Sequence, residues 1–199
     1  MYHSAKRVFD VLGALFGLIV LSPLLLVIGV GVVLTDGFPI LYRQKRIGFG
    51  MKPFYIYKFR SMHIDADEIL KRDRNLLKRF EVKFKLDDDP RITKFGAFLR
   101  KSSLDELPQF YNVLRGEMSL VGPRPVVEKE IELYGSDAWV FCAALPGCTG
   151  LWQCSGRSTL SYEQRVQLDV QYVKSACLSA DLSIILKTFL SLLKRNGAH

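Results

Sequence analysis

A chain of 199 residues with 49% apolar content supports one domain with a packed core plus a membrane element. Its formal net charge of +8 suits phosphate-rich ligands, an anionic membrane surface or nucleic acid, and does not choose among them. The four cysteines (Cys142, Cys148, Cys154, Cys177) form no C-x-x-C pair and have no histidine nearby, which speaks against zinc and for buried thiols in a reducing cytoplasm. Of His3, His63 and His199, two sit at the chain ends, so any catalytic acid, base or nucleophile is expected among the carboxylates.

The first element is Val11–Leu34, an apolar run of 24 residues without a charge. As a helix it reaches roughly 36 Å at about 1.5 Å per residue, enough to cross a hydrocarbon core of about 30 Å. It is too long for a signal-peptide core, and no small-residue cleavage site closes it. Ser22-Pro23 interrupts it near the middle. Pro23 donates no N–H and its ring clashes with the carbonyl of Ile19, a cost of about 3 kcal/mol in a regular helix; the Ser22 hydroxyl can bond back to a freed carbonyl. Lys6 and Arg7 precede the run and Arg43, Lys45 and Arg46 follow it, so the positive-inside rule puts both ends on the cytoplasmic side. A re-entrant hairpin broken at Ser22-Pro23 satisfies both features; a kinked spanning helix is the alternative.

Asp36-Gly37-Phe38-Pro39 marks the exit from the membrane. Ile40-Leu41-Tyr42 and Phe54–Phe59 read as short strands around a turn containing Gly48 and Gly50. Ile64 to about Phe84 reads as one charged helix, and Asp87-Asp88-Asp89-Pro90 as a turn and cap. Ile92–Lys101 is a short helix, and another is expected from Asp105 to Arg115 with Gly116 as its stop. Ser161-Tyr162-Glu163-Gln164 fits a capping box for a helix through Lys174. Asp181–Arg195 is amphipathic, its face of Leu182, Ile185, Leu186, Phe189, Leu192 and Leu193 available to the core or to a membrane surface. The fold class is α+β, mainly helical with a small sheet, divided into an anchor (residues 1–38) and a catalytic domain (residues 39–199).

Four segments concentrate chemistry. In Arg100–Gln109, Pro108 is tolerated only in a first helical turn, which places Asp105 and Glu106 at or just before a helix start, where carboxylates and phosphates are both favoured. Such a carboxylate can attack phosphorus or hold Mg²⁺, or Asp105 can simply cap the helix. In Leu120–Pro125, two prolines fix Arg124, which suits a phosphate clamp as well as a surface turn. Lys58 and Arg60 lie two apart on or just after a strand and would share a face. Pro146–Arg157 carries three glycines that permit close backbone approach and brings Arg157 to a phosphate or base.

Taken in order, Lys6–Asp10, Ser22-Pro23, Lys58-Phe59-Arg60-Ser61-Met62, Asp105-Glu106-Leu107-Pro108-Gln109 with Asn112-Val113-Leu114, and Met118–Pro125 resemble the bacterial sugar transferase family, the small monotopic phosphoglycosyl transferases, over nearly the whole chain. The resemblance implies that Asp105 attacks the β-phosphate of a UDP-sugar, expels UMP and passes the phosphosugar to polyprenyl phosphate. It implies a need for Mg²⁺, with Asp105 and Glu106 as metal or acceptor support, and phosphate binding by Lys58, Arg100 and Arg124 beside Arg60 and Arg157. It implies a re-entrant Ser22-Pro23 break, interfacial amphipathic helices, and a monotopic protein of the bacterial inner membrane facing the cytoplasm. UDP-sugar, polyprenyl phosphate and membrane lipid are then the partners; a homodimer is compatible with this reading and nucleic acid is not expected. Cys148 and Cys154 depart from the aliphatic residues expected there. Trp152 resembles the exopolysaccharide and O-antigen initiating branch and favours a hexose. Without the extra membrane region of larger relatives, the chain is expected to be the catalytic core. Two other classes compete: a glycosyltransferase that moves sugar without phosphate, and a non-enzymatic scaffold or nucleic-acid binder.

Overall fold

A helix α1 (Tyr2–Asp36) carries the whole apolar run in the computed structural model, which describes residues 2–83, 86, 88–156 and 159–193. It runs through Pro23 as helix, with no loop at the expected hairpin break. A local reason is visible. Pro23 cannot donate to the carbonyl of Ile19, and the Ser22 hydroxyl donates there instead at 2.8 Å. One face of α1 is buried, through Asp10, Ala14, Ile28, Gly29 and Val32, while Leu12, Phe16, Ile19, Leu26, Val27 and Leu34 stay exposed.

After α1 the chain forms an antiparallel hairpin of β1 (Leu41–Ile47) and β2 (Pro53–Phe59), with Tyr42 opposite Lys58 and Gln44 opposite Ile56. β1 outruns the expected Ile40–Tyr42 because Gln44, Lys45 and Arg46, polar by composition, continue the ladder. The expected single helix from Ile64 is two, α2 (Ala66–Arg72) and α3 (Arg74–Lys83). Asp73 separates them: its Oδ1 accepts from the N–H of Asn75 at 2.8 Å and of Leu76 at 3.0 Å, a cap that starts α3. Phe84 and Asp87 lie outside the described residues. Asp89 and Arg91 form a bidentate pair, with Nε–Oδ1 at 2.8 Å and Nη2–Oδ2 at 2.7 Å.

Thr93 caps α4 (Lys94–Lys101) by accepting from Gly96 N at 2.9 Å. Then follow α5 (Gln109–Arg115), β3 (Ser119–Val121), α6 (Glu128–Ile131), α7 (Ala138–Phe141), β4 (Gly147–Thr149), α8 (Leu151–Ser155), α9 (Tyr162–Ser175) and α10 (Leu178–Leu193). β3 and β4 pair in parallel, so the small sheet is realised as two two-stranded sheets among the described residues. Gly116 ends α5 in the left-handed region (φ +78°) and Ser161 caps α9 through the capping box, both as expected.

Three of the five apolar clusters among the described residues set the frame of the site. Ala14 of α1 packs with Ile56, Val113 and Met118. Ile28 and Val32 of α1 pack with Phe59 and Leu99. A third cluster, without α1, joins Ile47, Val126, Tyr134, Phe141, Val166 and Val170. The apolar face expected on α10 divides: Leu182, Leu186 and Phe189 are exposed, while Ile185 turns inward with Asp181 and Ile184. Buried Asp181 sets that rotation. It accepts from Lys6 at 2.9 Å and from Tyr172 at 2.7 Å, tying α10 to the start of α1 and to α9.

Candidate active site

Asp105 lies in a 3-10 turn, Leu104–Glu106, reached through Ser103 at φ +57°. The helix expected from Asp105 starts instead at Gln109, capped by Pro108, and Asp105 lies before it in the 3-10 turn. The positive field around Asp105 therefore comes from side chains more than from a helix terminus. Asp105 is 5% exposed. Burial pushes it up to about 6, against the pull of Lys58 and Arg100 and with a further push from Glu106.

Glu106 behaves oppositely. Burial would raise it, but Lys58, Arg124 and Arg46 outweigh that and hold it below the usual carboxylate range. Its side chain remains 39% exposed to the cleft. Lys58 Nζ meets Glu106 Oε1 at 2.5 Å. Two adjacent carboxylates are thus pushed apart: Asp105 titrates near 6, while Glu106 is held below the usual carboxylate range.

The frame around the pair is built from backbone-binding side chains. Asn112 of α5 donates to Tyr55 O at 2.7 Å and accepts from Tyr57 N at 3.1 Å, so it pairs with β2 as a strand would and fixes Lys58 relative to the turn. Arg7 donates to the carbonyls of Val113 and Leu114, at 2.6 and 2.8 Å, and so closes the far end of α5. Gly96 lets α4 touch Ser61: a Cβ there would lie 2.0 Å from Ser61 O. That contact brings Arg100 Nε within 3.1 Å of Ser61 Oγ.

Lys58, Arg60, Arg100, Asp105, Glu106 and Arg124 all line one open cleft of about 2020 Å³. Arg60 follows β2 and is buried; its Nη2 donates to the carbonyls of Asp36 and Gly37, so it also ties down the end of α1. Arg124 follows β3 and lies 5.8 Å from the Trp152 ring centre. Arg157 lies outside the described residues. Ser22 and Pro23 are on α1 and exposed. No group of three or more His, Cys, Asp or Glu converges among the described residues. The Asp105–Glu106 donor set nonetheless fits Mg²⁺, which takes one or two carboxylates and completes its shell with substrate phosphates and water.

Sequence reasoning missed Arg46, Tyr162 and Arg165, which line the same cleft. Arg46 read as a flanking membrane charge; its register opposite Phe54 in the hairpin was the available signal. Tyr162 and Arg165 were hidden inside a capped helix. Cys148 also lines the cleft, and burial pushes its thiol well above the usual range.

The sequence matches the family described as bacterial sugar transferase over residues 1–195. It is 47% identical over 204 residues to the UDP-galactose-lipid carrier transferase of Erwinia amylovora, covering 99% of this chain and 43% of that protein. It is 46% identical over 198 residues to the undecaprenyl-phosphate galactose phosphotransferase of Salmonella typhimurium, covering 98% and 41%. It is 47% identical over 199 residues to the exopolysaccharide production protein ExoY of Rhizobium meliloti, covering 98% and 88%. The chain therefore spans less than half of the first two relatives and most of the third.

Proposed function

The chain belongs to the bacterial sugar transferase family, and from that premise we propose that it is a phosphoglycosyl transferase that moves a sugar 1-phosphate from a UDP-sugar to polyprenyl phosphate at the cytoplasmic face of a bacterial inner membrane. The observation that carries this reading is the buried Asp105, poised near pH 6 between Lys58 and Arg100 on a cleft lined with further arginines. The names of the relatives, a UDP-galactose-lipid carrier transferase and an undecaprenyl-phosphate galactose phosphotransferase, support the donor and acceptor classes. ExoY supports a place in exopolysaccharide production, and the galactose in the other two names supports a hexose as the sugar.

In the first step an Asp105 carboxylate oxygen attacks the β-phosphorus. A phosphorus–oxygen bond forms to Asp105, the bond to the bridging oxygen breaks, and UMP leaves with that electron pair. In the second step a phosphate oxygen of the acceptor attacks the same phosphorus, Asp105 departs as carboxylate, and polyprenyl-diphosphate-sugar results. Lys58 holds Glu106 and lowers Asp105, so the nucleophile is ionised at neutral pH. Arg100 and Arg124, with Arg60 and Arg157, bind phosphate oxygens through charge-assisted hydrogen bonds. Asp105 and Glu106 would hold Mg²⁺, which when bound neutralises part of the diphosphate charge.

The apolar helix α1 is long and apolar enough to cross a membrane. We propose instead that it is a re-entrant, monotopic anchor that dips and returns at Ser22-Pro23, with α10 lying at the interface through Leu182, Leu186 and Phe189. The packing of both ends of α1 on one domain supports this.

The decisive experiment incubates purified protein with UDP-hexose and no acceptor. We expect UMP release and a phosphohexose adduct on Asp105 by mass spectrometry, both lost in Asp105→Asn. Release of UDP, or turnover retained in that variant, sinks the reading.

A further inference from the structure

The cationic groups of the cleft divide by the core that carries them. Lys58, Arg60 and Arg100 belong to the side built with α1: Phe59 and Leu99 beside them share a cluster with Ile28 and Val32, and Arg60 bonds the end of α1. Arg165 and Tyr162 lie on α9, whose buried face joins the cluster that α1 does not enter.

On that second side Arg165 lies 4.9 Å, and Arg124 5.8 Å, from the centre of the Trp152 ring. Arg46, buried beneath, donates to Pro125 O at 3.3 Å and to Glu130 at 3.3 Å, holding the turn that carries Arg124. The three guanidiniums are close enough that Arg124, together with burial, lowers both Arg46 and Arg165 below the usual arginine range. Glu130 and the buried Asp169 are the nearby anions. Asp169 is pushed up to about 7 by burial and accepts from Tyr134 at 3.0 Å, so it compensates only in part. Among the polar atoms buried here without a hydrogen-bond partner in the described residues are the Tyr162 hydroxyl and Arg165 Nε, beside Arg46 Nε and Asp169 Oδ1. Leaving such groups unmade is costly, and guanidiniums held on the buried Trp152 ring beside open hydrogen-bond groups suit a phosphate-bearing ligand.

We propose that Arg165 and Tyr162, with Arg124 and the Trp152 plate, form the subsite for the nucleoside-monophosphate half of the donor, the half that leaves. This rests on the sugar-phosphate transfer reading above. The acceptor phosphate is tethered to a lipid and must arrive from the α1 side, where Lys58, Arg60 and Arg100 stand. The water-soluble nucleotide then takes the α9 side, with Asp105 between the two. Arg46 is a positioning residue for this subsite, acting through the Pro123-Arg124-Pro125 turn.

The test uses UMP as the probe and the full chain in lipid nanodiscs. Calorimetric titration compares wild type with Arg165→Gln, Arg165→Lys and Tyr162→Phe, each checked for wild-type melting, while steady-state assays give KM for UDP-hexose and for polyprenyl phosphate. We expect Arg165→Gln to weaken UMP and raise the donor KM by roughly tenfold or more, and Tyr162→Phe by about threefold to tenfold, with acceptor KM unchanged within about twofold. Arg165→Lys, which keeps the charge and loses the planar fork, should fall between wild type and Arg165→Gln. Tyr162→Phe removes one hydroxyl and decides the matter if the arginine variants do not fold. Unchanged UMP affinity in folded variants, or a rise in acceptor KM instead, overturns the assignment. Wild-type protein that neither binds nor releases UMP sinks the transfer reading itself. Wild-type protein that does both, beside variants that bind UMP equally, sinks only this subsite.

Discussion

Burial raises Asp105 to about 6, so protonation of this one residue should govern how the proposed enzyme responds to pH. Adduct formation needs the ionised carboxylate, so its rate should be flat above about pH 7 and fall about tenfold per unit below about pH 6. Lys58 opposes the rise, so Lys58→Gln should move that midpoint upward; a profile that stays level to pH 5 contradicts the role. The same shift carries a stability cost of the opposite sign to a salt bridge. A carboxyl whose folded pKa is raised favours folding when protonated and loses that contribution as pH climbs from about 4 through about 6. Asp105→Asn should therefore melt higher than wild type at pH 7.5, by at most about 3 kcal/mol, with the difference gone near pH 4. Asp105, Glu106, Lys58, Arg100 and Arg124, which the structure brings to one cleft, could be named from the sequence because each sits in a short motif that resembles the family's. Arg46 and Arg165 could not, because their meaning depends on a distant partner, Pro125 O for one and the Trp152 ring for the other.

Elements were legible wherever a local signal closes them. Gly116 and the Ser161 capping box gave α5 and α9 their ends, while Asp73 divided α2 from α3 because an aspartate inside a charged stretch reads equally as surface or as cap. Close approach between elements leaves still less trace. Gly96 sits inside α4, where glycine weakens a helix, and only the backbone of Ser61 explains it: an added Cβ would lie 2.0 Å from Ser61 O and 2.6 Å from its Cα. Neither is a flexible side-chain end, so Gly96→Ala must push α4 away. We expect a loss of about 1–3 kcal/mol by thermal melting. Activity should fall at temperatures where the variant is still folded, because Arg100 leaves Ser61 and the cleft. Wild-type melting and turnover in Gly96→Ala would show that the contact is dispensable.

At the scale of the molecule, α1 is the spine on which the proposed site is indexed. Near its start Arg7 closes α5, Asp10 accepts from Ser119 Oγ and Leu120 N at 3.0 Å each, and Lys6 reaches Asp181. At its end Asp36 accepts from Thr93 at 3.1 Å and Gly37 from Arg60 at 2.6 Å. A segment that crossed a bilayer would leave these two ends separated by a hydrocarbon layer of about 30 Å, yet both hold parts of the same cleft. The basic residues on both flanks carry the same expectation; the contacts at the two ends of α1 were invisible in the sequence, because Asp10 and Asp181 meet their partners across more than a hundred residues. The proposed re-entrant topology has a direct consequence for labelling. With His3→Cys or Phe38→Cys introduced singly, a membrane-impermeant maleimide applied to oriented vesicles should label each from the same side as the exposed native Cys177. Labelling of positions 3 and 38 from opposite sides would mean that α1 spans, and the bonds at one of its ends could not persist in the membrane.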